Sequence, residues 1–289
     1  MTIKYLAGNR IQGTHKDRFV TRATNNGCSL NTSNYVVSNG SVDFSGTDDC
    51  LVFGNTSDWN FMHNGGSWTV AFWLIPDNYN TDAMIFNTNG TTNTNIGVQC
   101  LGLSNGDVRV RISDGKTGDL VTLTGADYRE SAYNFIVITY NGSTLSMQRS
   151  NYGGSLSTAV TSNNISGKTF CKENSLNPLT IGAASDSHTT YPYEGLINTF
   201  MIWNRVLSSA EITALHNSGN GSATIPYKDL KLQTCRYKST DGNGYNKVDS
   251  WYQNIAASFP AGTIFEETDT HKSYIVGALT TRQTWTEIT

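Results

Sequence analysis

The sequence has few charged residues, no basic cluster and no long apolar run. Charged side chains make up 15% of the 289 residues, and the formal net charge is −3. Nucleic-acid binding needs a basic face that neutralises phosphates, so we expect none. No segment reaches the roughly 18–20 apolar residues of a membrane-spanning helix, which predicts no membrane insertion. Met1–Arg18 lacks the apolar stretch of a secretory signal, which predicts synthesis in the cytoplasm without a signal peptide.

Motifs for metal, redox or nucleophilic chemistry are also absent from the sequence. The cysteines are odd in number and widely spaced, with no CxxC pair: Cys28, Cys50, Cys100, Cys171 and Cys235. Buried free thiols in a reducing cytoplasm are one interpretation, and a single late disulfide of undetermined pairing is the other. No GxSxG, HExxH or P-loop motif occurs, and the five histidines are isolated.

Short β-branched and aromatic runs separated by Asn-Gly and Gly-rich turns predict an all-β protein. Trp68–Ile75 is apolar on both faces, which predicts a strand in the middle of a packed sheet, and Asn134–Tyr140 has the same pattern. Tight hairpins are predicted at 104–107 and at Asn141-Gly142, where Asn-Gly can take positive φ at both positions. Further strands are predicted at 35–37, 41–44, 50–53, 83–87, 96–103, 108–113, 120–123, 144–149, 179–182 and 195–203.

One helix is predicted after Ser208, because Ser208 and Glu211 form a capping box and Asn217 can end the helix. Changes in composition and strand pattern along the chain predict three parts: an N-terminal arm (1–28), a large β-domain (29–221) and a small β-rich C-terminal segment (222–289). In the last part, strands are predicted at 230–237, 262–266, 273–276 and 284–287. A content of 37% hydrophobic and 11% aromatic residues is enough for a packed core, in which we expect the strand residues Trp68, Trp73 and Trp203.

Six segments resemble, in order and spacing, the laminin-G-like, concanavalin A-like family. They are VDFSGTDDCLV (42–52), SWTVAFWLIP (67–76), LSNGDV (103–108), IVITYNG (136–142), LTIGA (179–183) and, most strongly, YEGLINTFMIWNRVLS (193–208). The resemblance covers the chain from Ser41 to about Gly221. It implies a two-sheet antiparallel jelly-roll sandwich. It is weak for function, because this fold carries lectins, enzymes, adhesion modules and structural domains.

The arm and the tail resemble other proteins. Tyr5–Arg10 and Pro260–Thr268 are similar to segments of virion structural proteins from environmental phages and archaeal viruses. This resemblance implies a non-enzymatic virion or surface structural protein of decoration, spike or fibre type. We expect such a protein on a virion or an extracellular surface, assembled through its arm and tail as a homo-oligomer with other virion proteins.

A carbohydrate-binding module for host-surface glycans is the alternative. Aromatic faces in loops, together with polar side chains, bind sugars. The aromatic residues in loop-like stretches are Trp59, Tyr79, Tyr152, Tyr191 and Tyr193. A glycoside hydrolase is the third candidate, but the paired carboxylates of the family's glucanase branch, E-x-D-x-x-E, do not occur.

Calcium is the one cofactor that the family resemblance implies. Members often hold one ion between the turn after the first strand and the closing strand. The matching positions are Asp48, Asp49 and Asn198, and the last replaces the family's usual Asp. A hydrogen-bonded turn without metal is the alternative.

Overall fold

A computed structural model shows the sandwich and parts of both terminal segments. It describes residues 4–5, 10–13, 19–22, 24–37, 40–78, 82–90, 95–116, 118–125, 132–184, 190–222, 226, 229–233, 252–254, 264–267, 271, 273–276 and 285–288. No helix among these residues has the length and apolar character needed to cross a membrane.

The described residues form strands β1 to β22, one α-helix and two short 3₁₀ helices. The first strands are β1 (Lys4–Tyr5), β2 (Arg10–Gly13), β3 (Phe19–Arg22), β4 (Thr24–Asn26), β5 (Ser29–Asn31), β6 (Ser41–Phe44), β7 (Cys50–Phe53), β8 (Trp68–Pro76), β9 (Ala83–Asn87), β10 (Ile96–Gly102) and β11 (Val108–Asp114). They are followed by β12 (Asp119–Gly125), β13 (Asn134–Tyr140), β14 (Thr144–Asn151), β15 (Val160–Asn163), β16 (Leu179–Ile181), β17 (Gly195–Trp203), β18 (Leu230–Gln233), β19 (Tyr252–Asn254), β20 (Ile264–Glu267), β21 (Ser273–Val276) and β22 (Trp285–Ile288). The helices are Thr56–Met62 (3₁₀), α1 (Ser209–His216) and Asn217–Gly219 (3₁₀).

Two antiparallel sheets form the sandwich, which confirms the predicted all-β jelly-roll class. One sheet has seven strands in the order β12-β11-β10-β9-β16-β7-β4. The other has eight, in the order β15-β14-β13-β8-β17-β6-β5 with β18 also paired to β17. The doubly apolar segments predicted for the middle of a sheet are β8 and β13, which are neighbours in full register from Trp68–Tyr140 to Leu74–Asn134.

Aromatic rings fill the space between the sheets. Phe72 of β8 stacks on Phe200 of β17 with ring centroids 5.3 Å apart, and Phe86 of β9 meets Phe200 edge-on at 5.5 Å. All three rings are fully buried, and they join the two sheets. Aromatic pairs in these geometries contribute about 0.5–1.5 kcal/mol beyond the area that they bury.

A second apolar cluster lies on the outer face of the eight-stranded sheet. Trp73, Phe135 and Trp203 belong to it, and helix α1 covers them through Ile212 and Leu215. The helix begins at the predicted capping box and ends at Asn217, which takes the left-handed conformation (φ 48°). This sheet therefore has apolar layers on both faces, whereas the outer face of the seven-stranded sheet combines polar side chains with a small apolar cluster of Met84, Leu101 and Ala184.

The sandwich extends beyond the predicted 29–221 range at both ends. β4 pairs with β7 at the edge of the seven-stranded sheet, and β18 pairs with β17. Farther out, arm and tail strands pair with each other: β2 is parallel to β20, and β3 is antiparallel to β19.

Four cysteines lie among the described residues, and all four are buried thiols that form no disulfide: Cys28, Cys50, Cys100 and Cys171. Burial raises the pKa of Cys28 and of Cys100. These features agree with the interpretation of the cysteines as buried thiols. Cys235 is outside the described residues.

Candidate functional site

Strand β11 directs two arginines away from the core of the sandwich. Its apolar residues Val108, Val110 and Ile112 are fully buried between the sheets, whereas Arg109 and Arg111 are only half-buried. Successive side chains of a strand point to opposite faces, so both arginines lie on the outer face of the seven-stranded sheet. The sequence VRVRI therefore builds a basic strip on a surface that is otherwise mostly neutral.

Cross-strand pairing extends this strip into a polar row. Arg111 is paired with Thr122 of β12 on one side and with Gln99 of β10 on the other. Gln99 is paired in turn with Asn87 of β9. Directly paired residues share a face, so the row crosses four adjacent strands and is about 14 Å long at the usual inter-strand spacing.

Hydrogen bonds to the backbone fix the middle of this row. Gln99 is fully buried and its Nε2 donates to the carbonyl of Gly90. Asn87 is also fully buried; its Nδ2 donates to the carbonyl of Ala184, and its Oδ1 accepts from the N–H groups of Asn89 and Gly90. Buried amides with satisfied hydrogen bonds have one orientation, so this part of the row forms a rigid floor.

Arg111 lies on this floor with one of its three nitrogen positions engaged. Its Nε donates to Gln99 Oε1 over 2.5 Å. Within the described residues, Nη1 and Nη2 have no hydrogen-bond partner, and no carboxylate lies within ion-pair distance. Burial lowers the pKa of Arg111 and the charge of Arg109 lowers it further, while nearby acidic groups and the Tyr191 phenol act in the opposite direction. Arginine nevertheless stays protonated in proteins, so a half-buried cation remains on this face.

Two further side chains flank Arg111. Arg109 Nη2 forms an ion pair with Asp82 Oδ1 at 2.9 Å. Tyr191 is 40% exposed, and its carbonyl accepts from the N–H of Met84, which ties it to the start of β9. Its φ of 52° is uncommon for a bulky residue, and such strain concentrates at functional sites. We refer to these residues as the arginine face: Asp82, Gln99, Arg109, Arg111, Thr122 and Tyr191.

Two of the five aromatic residues predicted to bind sugar belong to the core instead. Trp59 and Tyr193 are each only 1% exposed. Trp59 Nε1 donates to the carbonyl of Phe53 at 2.9 Å, and Tyr193 meets Phe44 edge-on at 5.9 Å. The prediction is corrected for these two residues, because neither ring offers a face to a ligand.

The other three predicted aromatic residues do not form one group. Tyr152 is 56% exposed, and its ring contacts Trp73 on the outer side of the eight-stranded sheet. Tyr191 lies on the opposite side of the sandwich, on the arginine face. Tyr79 lies outside the described residues.

The predicted calcium ligands do not converge. Asn198 lies beside the start of β6, while the turn that carries Asp48 and Asp49 follows the end of that strand. Asp49 Oδ2 accepts from two backbone N–H groups of its own turn, and Asn198 Nδ2 donates to the carbonyls of Val37 and Gly40. Among the described residues, no three His, Cys, Asp or Glu side chains are grouped to hold a metal ion. As placed, these residues therefore do not surround a position that a calcium ion could occupy, and Asp49 instead accepts hydrogen bonds within its own turn.

Sequence reasoning missed Arg109, Arg111 and Gln99. The alternation of arginine with apolar residues in β11 is a visible signal, because it places both charges on one face in a chain with few charges. The contribution of Gln99 depends on strand register and on the Gly90 carbonyl, neither of which the sequence pattern specifies.

Several solved structures are similar to this chain at low sequence identity. The carbohydrate-binding module CBM40 of the Ruminococcus gnavus IT-sialidase, bound to α2,3-sialyllactose, is 15% identical with a TM-score of 0.40, over 52% of this chain and 81% of that one. The enzymatically active domain of tailspike protein 2 of bacteriophage CBA120 is 14% identical with a TM-score of 0.49, over 76% and 32%. The binding domain of botulinum neurotoxin DC, in complex with SialylT, is 16% identical with a TM-score of 0.47, over 75% and 51%.

The family follows from a match between the amino-acid sequence and a family model, not from the solved structures. No curated protein matches the chain. A family model described as the concanavalin A-like lectin/glucanases superfamily matches residues 44–213, which is more than half of the chain and runs from β6 into α1. The chain therefore belongs to the concanavalin A-like lectin/glucanase superfamily.

Proposed function

We propose that the protein is a non-catalytic carbohydrate-binding module whose ligand lies on the arginine face. The observation that carries the proposal is a half-buried Arg111 with Nη1 and Nη2 unengaged within the described residues, close enough to the exposed Tyr191 for an electrostatic interaction with its phenol. A sugar offers hydroxyl oxygens to such donors and an apolar ring face to an aromatic side chain.

The rigidity of the face favours binding. Gln99 holds Arg111 Nε in place, and the Gly90 carbonyl holds Gln99. A ligand that binds a pre-oriented guanidinium group does not have to offset the loss of side-chain freedom. Thr122 Oγ1 donates to Asp119 Oδ2 at 2.8 Å, which fixes a further polar group of the row.

Attachment to a surface is the setting that we propose for this module, with the virion as the location predicted by the arm and tail sequences. Display would use a homo-oligomer assembled through these segments. Light scattering of the full-length protein tests the assembly, for which we expect an oligomer. A monomer at micromolar concentration would contradict this part of the proposal and leave glycan binding to be decided separately.

A broad glycan array with the full-length protein tests the binding. Tyr191→Ala and Tyr152→Ala form a matched pair, because both residues are exposed and they lie on opposite sides of the sandwich. We expect binding that Tyr191→Ala weakens at least about tenfold, the loss of one aromatic contact of roughly 1.4 kcal/mol. We expect Tyr152→Ala to bind like the natural protein.

Three outcomes would contradict the proposal. They are silence across the array, equal binding by both tyrosine variants, and release of reducing sugar from a bound glycan. The last outcome would restore the glycoside hydrolase alternative.

A further inference from the structure

We infer that the ligand of the arginine face is an acidic sugar whose carboxylate or sulfate group pairs with Nη1 and Nη2 of Arg111. The inference rests on the proposed function, because it names the class of glycan for the same face. Two observations support it: the partners of the two arginines and the part of Arg111 left unengaged.

The arginines differ in how their charges are balanced. Arg109 already has a counter-ion, since its Nη2 lies 2.9 Å from Asp82 Oδ1. Arg111 has no carboxylate at ion-pair distance in the described part of the chain. Burial and the neighbouring Arg109 lower its pKa, and the more distant carboxylates of Asp119 and Asp82 offset this only in part. A partly desolvated cation without a hydrogen-bonded counter-ion is unfavourable. A bound anion would offset this and would also reduce the repulsion between the two guanidinium groups.

The geometry of Arg111 suits an anion with two or more oxygen atoms. Nε is occupied by Gln99, so Nη1 and Nη2 remain as a planar pair of donors. A carboxylate or a sulfate can accept two parallel N–H bonds from such a pair, and these charge-assisted bonds are about twice as strong as neutral ones. A hydroxyl group of a neutral sugar has one oxygen and no charge, so it engages the pair less well.

The recognition is local. The chain carries a formal net charge of −3, so its overall field does not attract anions. A free inorganic anion could pair with Arg111, but it would make no contact with the Tyr191 ring. We therefore expect affinity for anionic groups only when they are attached to a sugar ring.

Matched pairs of glycans test the inference on the full-length protein. The pairs are glycans ending in glucuronate or glucose, in galacturonate or galactose, and in galactose 6-sulfate or galactose. We expect the acidic member of at least one pair to bind at least about tenfold more tightly, measured by isothermal titration calorimetry. The uronate pairs and the sulfate pair distinguish the two sources of charge.

Two variants link the effect to Arg111. We expect Arg111→Gln to weaken binding of the acidic glycan at least tenfold, to the level of its neutral partner. Lys172→Gln removes one exposed positive charge elsewhere and should change the affinity less than twofold. If Arg111→Gln does not fold, as checked by thermal unfolding, the comparison of acidic and neutral glycans on the natural protein still decides.

The outcomes separate the two proposals. If neutral glycans bind as tightly as acidic ones and Tyr191→Ala weakens both, the inference is wrong and the proposed function stands. If the acidic glycan binds Arg111→Gln as tightly as the natural protein, the anion lies elsewhere and the inference is also wrong. If no glycan of any kind binds, the proposed function fails and the inference fails with it.

Discussion

At the scale of single residues, the buried amide of Asn198 joins β17 to the segment that precedes β6. Its Nδ2 donates to two carbonyls, those of Val37 and Gly40, and its Oδ1 accepts from the Val37 N–H. In Asn198→Asp a buried carboxylate would face both carbonyl oxygens without a proton to donate. We expect a loss of about 3 kcal/mol in the free energy of unfolding, measured with urea.

The control for Asn198→Asp is Asn163→Asp, on an exposed strand residue whose Oδ1 accepts from Thr144 Oγ1. A carboxylate can accept the same bond, so we expect a change below about 0.5 kcal/mol. If Asn198→Asp were instead stabilised by added calcium chloride, the hydrogen-bonded account of this position would be wrong.

Buried histidine makes stability depend on pH. His63 is fully buried, and its Nε2 donates to the Glu173 carbonyl at 2.9 Å. Burial lowers its pKa below the ordinary value of 6.5, against a weaker opposite effect of that hydrogen bond. The unfolded chain therefore takes up a proton more readily as the pH falls through 6.5. The contribution of neutral, buried His63 to the free energy of unfolding is therefore complete above that pH and is lost as the pH falls below it.

We therefore expect the free energy of unfolding to fall between about pH 7.5 and about pH 5.5 in urea titrations. His63→Gln retains a donor for the Glu173 carbonyl and should make this dependence shallower. Exposed His271→Gln is the control and should leave it unchanged. A slope that is the same in all three proteins would contradict the account of His63.

At the scale of elements, local signals predicted those parts of the fold that local interactions determine. The capping box placed helix α1 correctly, and both of its hydrogen bonds, between Ser208 and Glu211, are present. The hairpin at Asn141-Gly142 is also where predicted, but only Gly142 takes positive φ. The Asn141 side chain accepts from two following N–H groups, and its backbone N–H donates to the Thr144 carbonyl, so both close the turn.

Long-range contacts decided what the sequence pattern could not predict. The predicted strand 35–37 is not a strand, because Asn198, distant in sequence, binds both the N–H and the carbonyl of Val37. Trp59 was assigned to a loop but lies in the core of the sandwich. For the candidate site, Tyr191 lies in a loop, as the sequence pattern predicted, and is exposed. Arg111 and Gln99 are brought together only by the register of β10 and β11.

At the scale of the whole molecule, the limits of the sandwich can be tested with fragments. Residues 29–221 leave out β4 and Cys28 at one end and β18 with the fully buried Leu232 at the other. Two buried apolar side chains contribute about 3–5 kcal/mol together. We expect fragment 24–233 to melt about 10 °C above fragment 29–221 in calorimetry. Equal melting temperatures would show that β4 and β18 add nothing to the sandwich.

The two outer faces of the sandwich differ in the side chains that they expose, and this difference underlies the functional account. Helix α1 covers the outer face of the eight-stranded sheet, while the seven-stranded sheet presents the arginine face. A crystal structure of the full-length protein with an array-selected glycan tests this account most directly. The account predicts the sugar on β10–β12, with an oxygen at hydrogen-bond distance from Arg111 Nη1 or Nη2. A sugar bound beside Tyr152, on the other side of the sandwich, would contradict it.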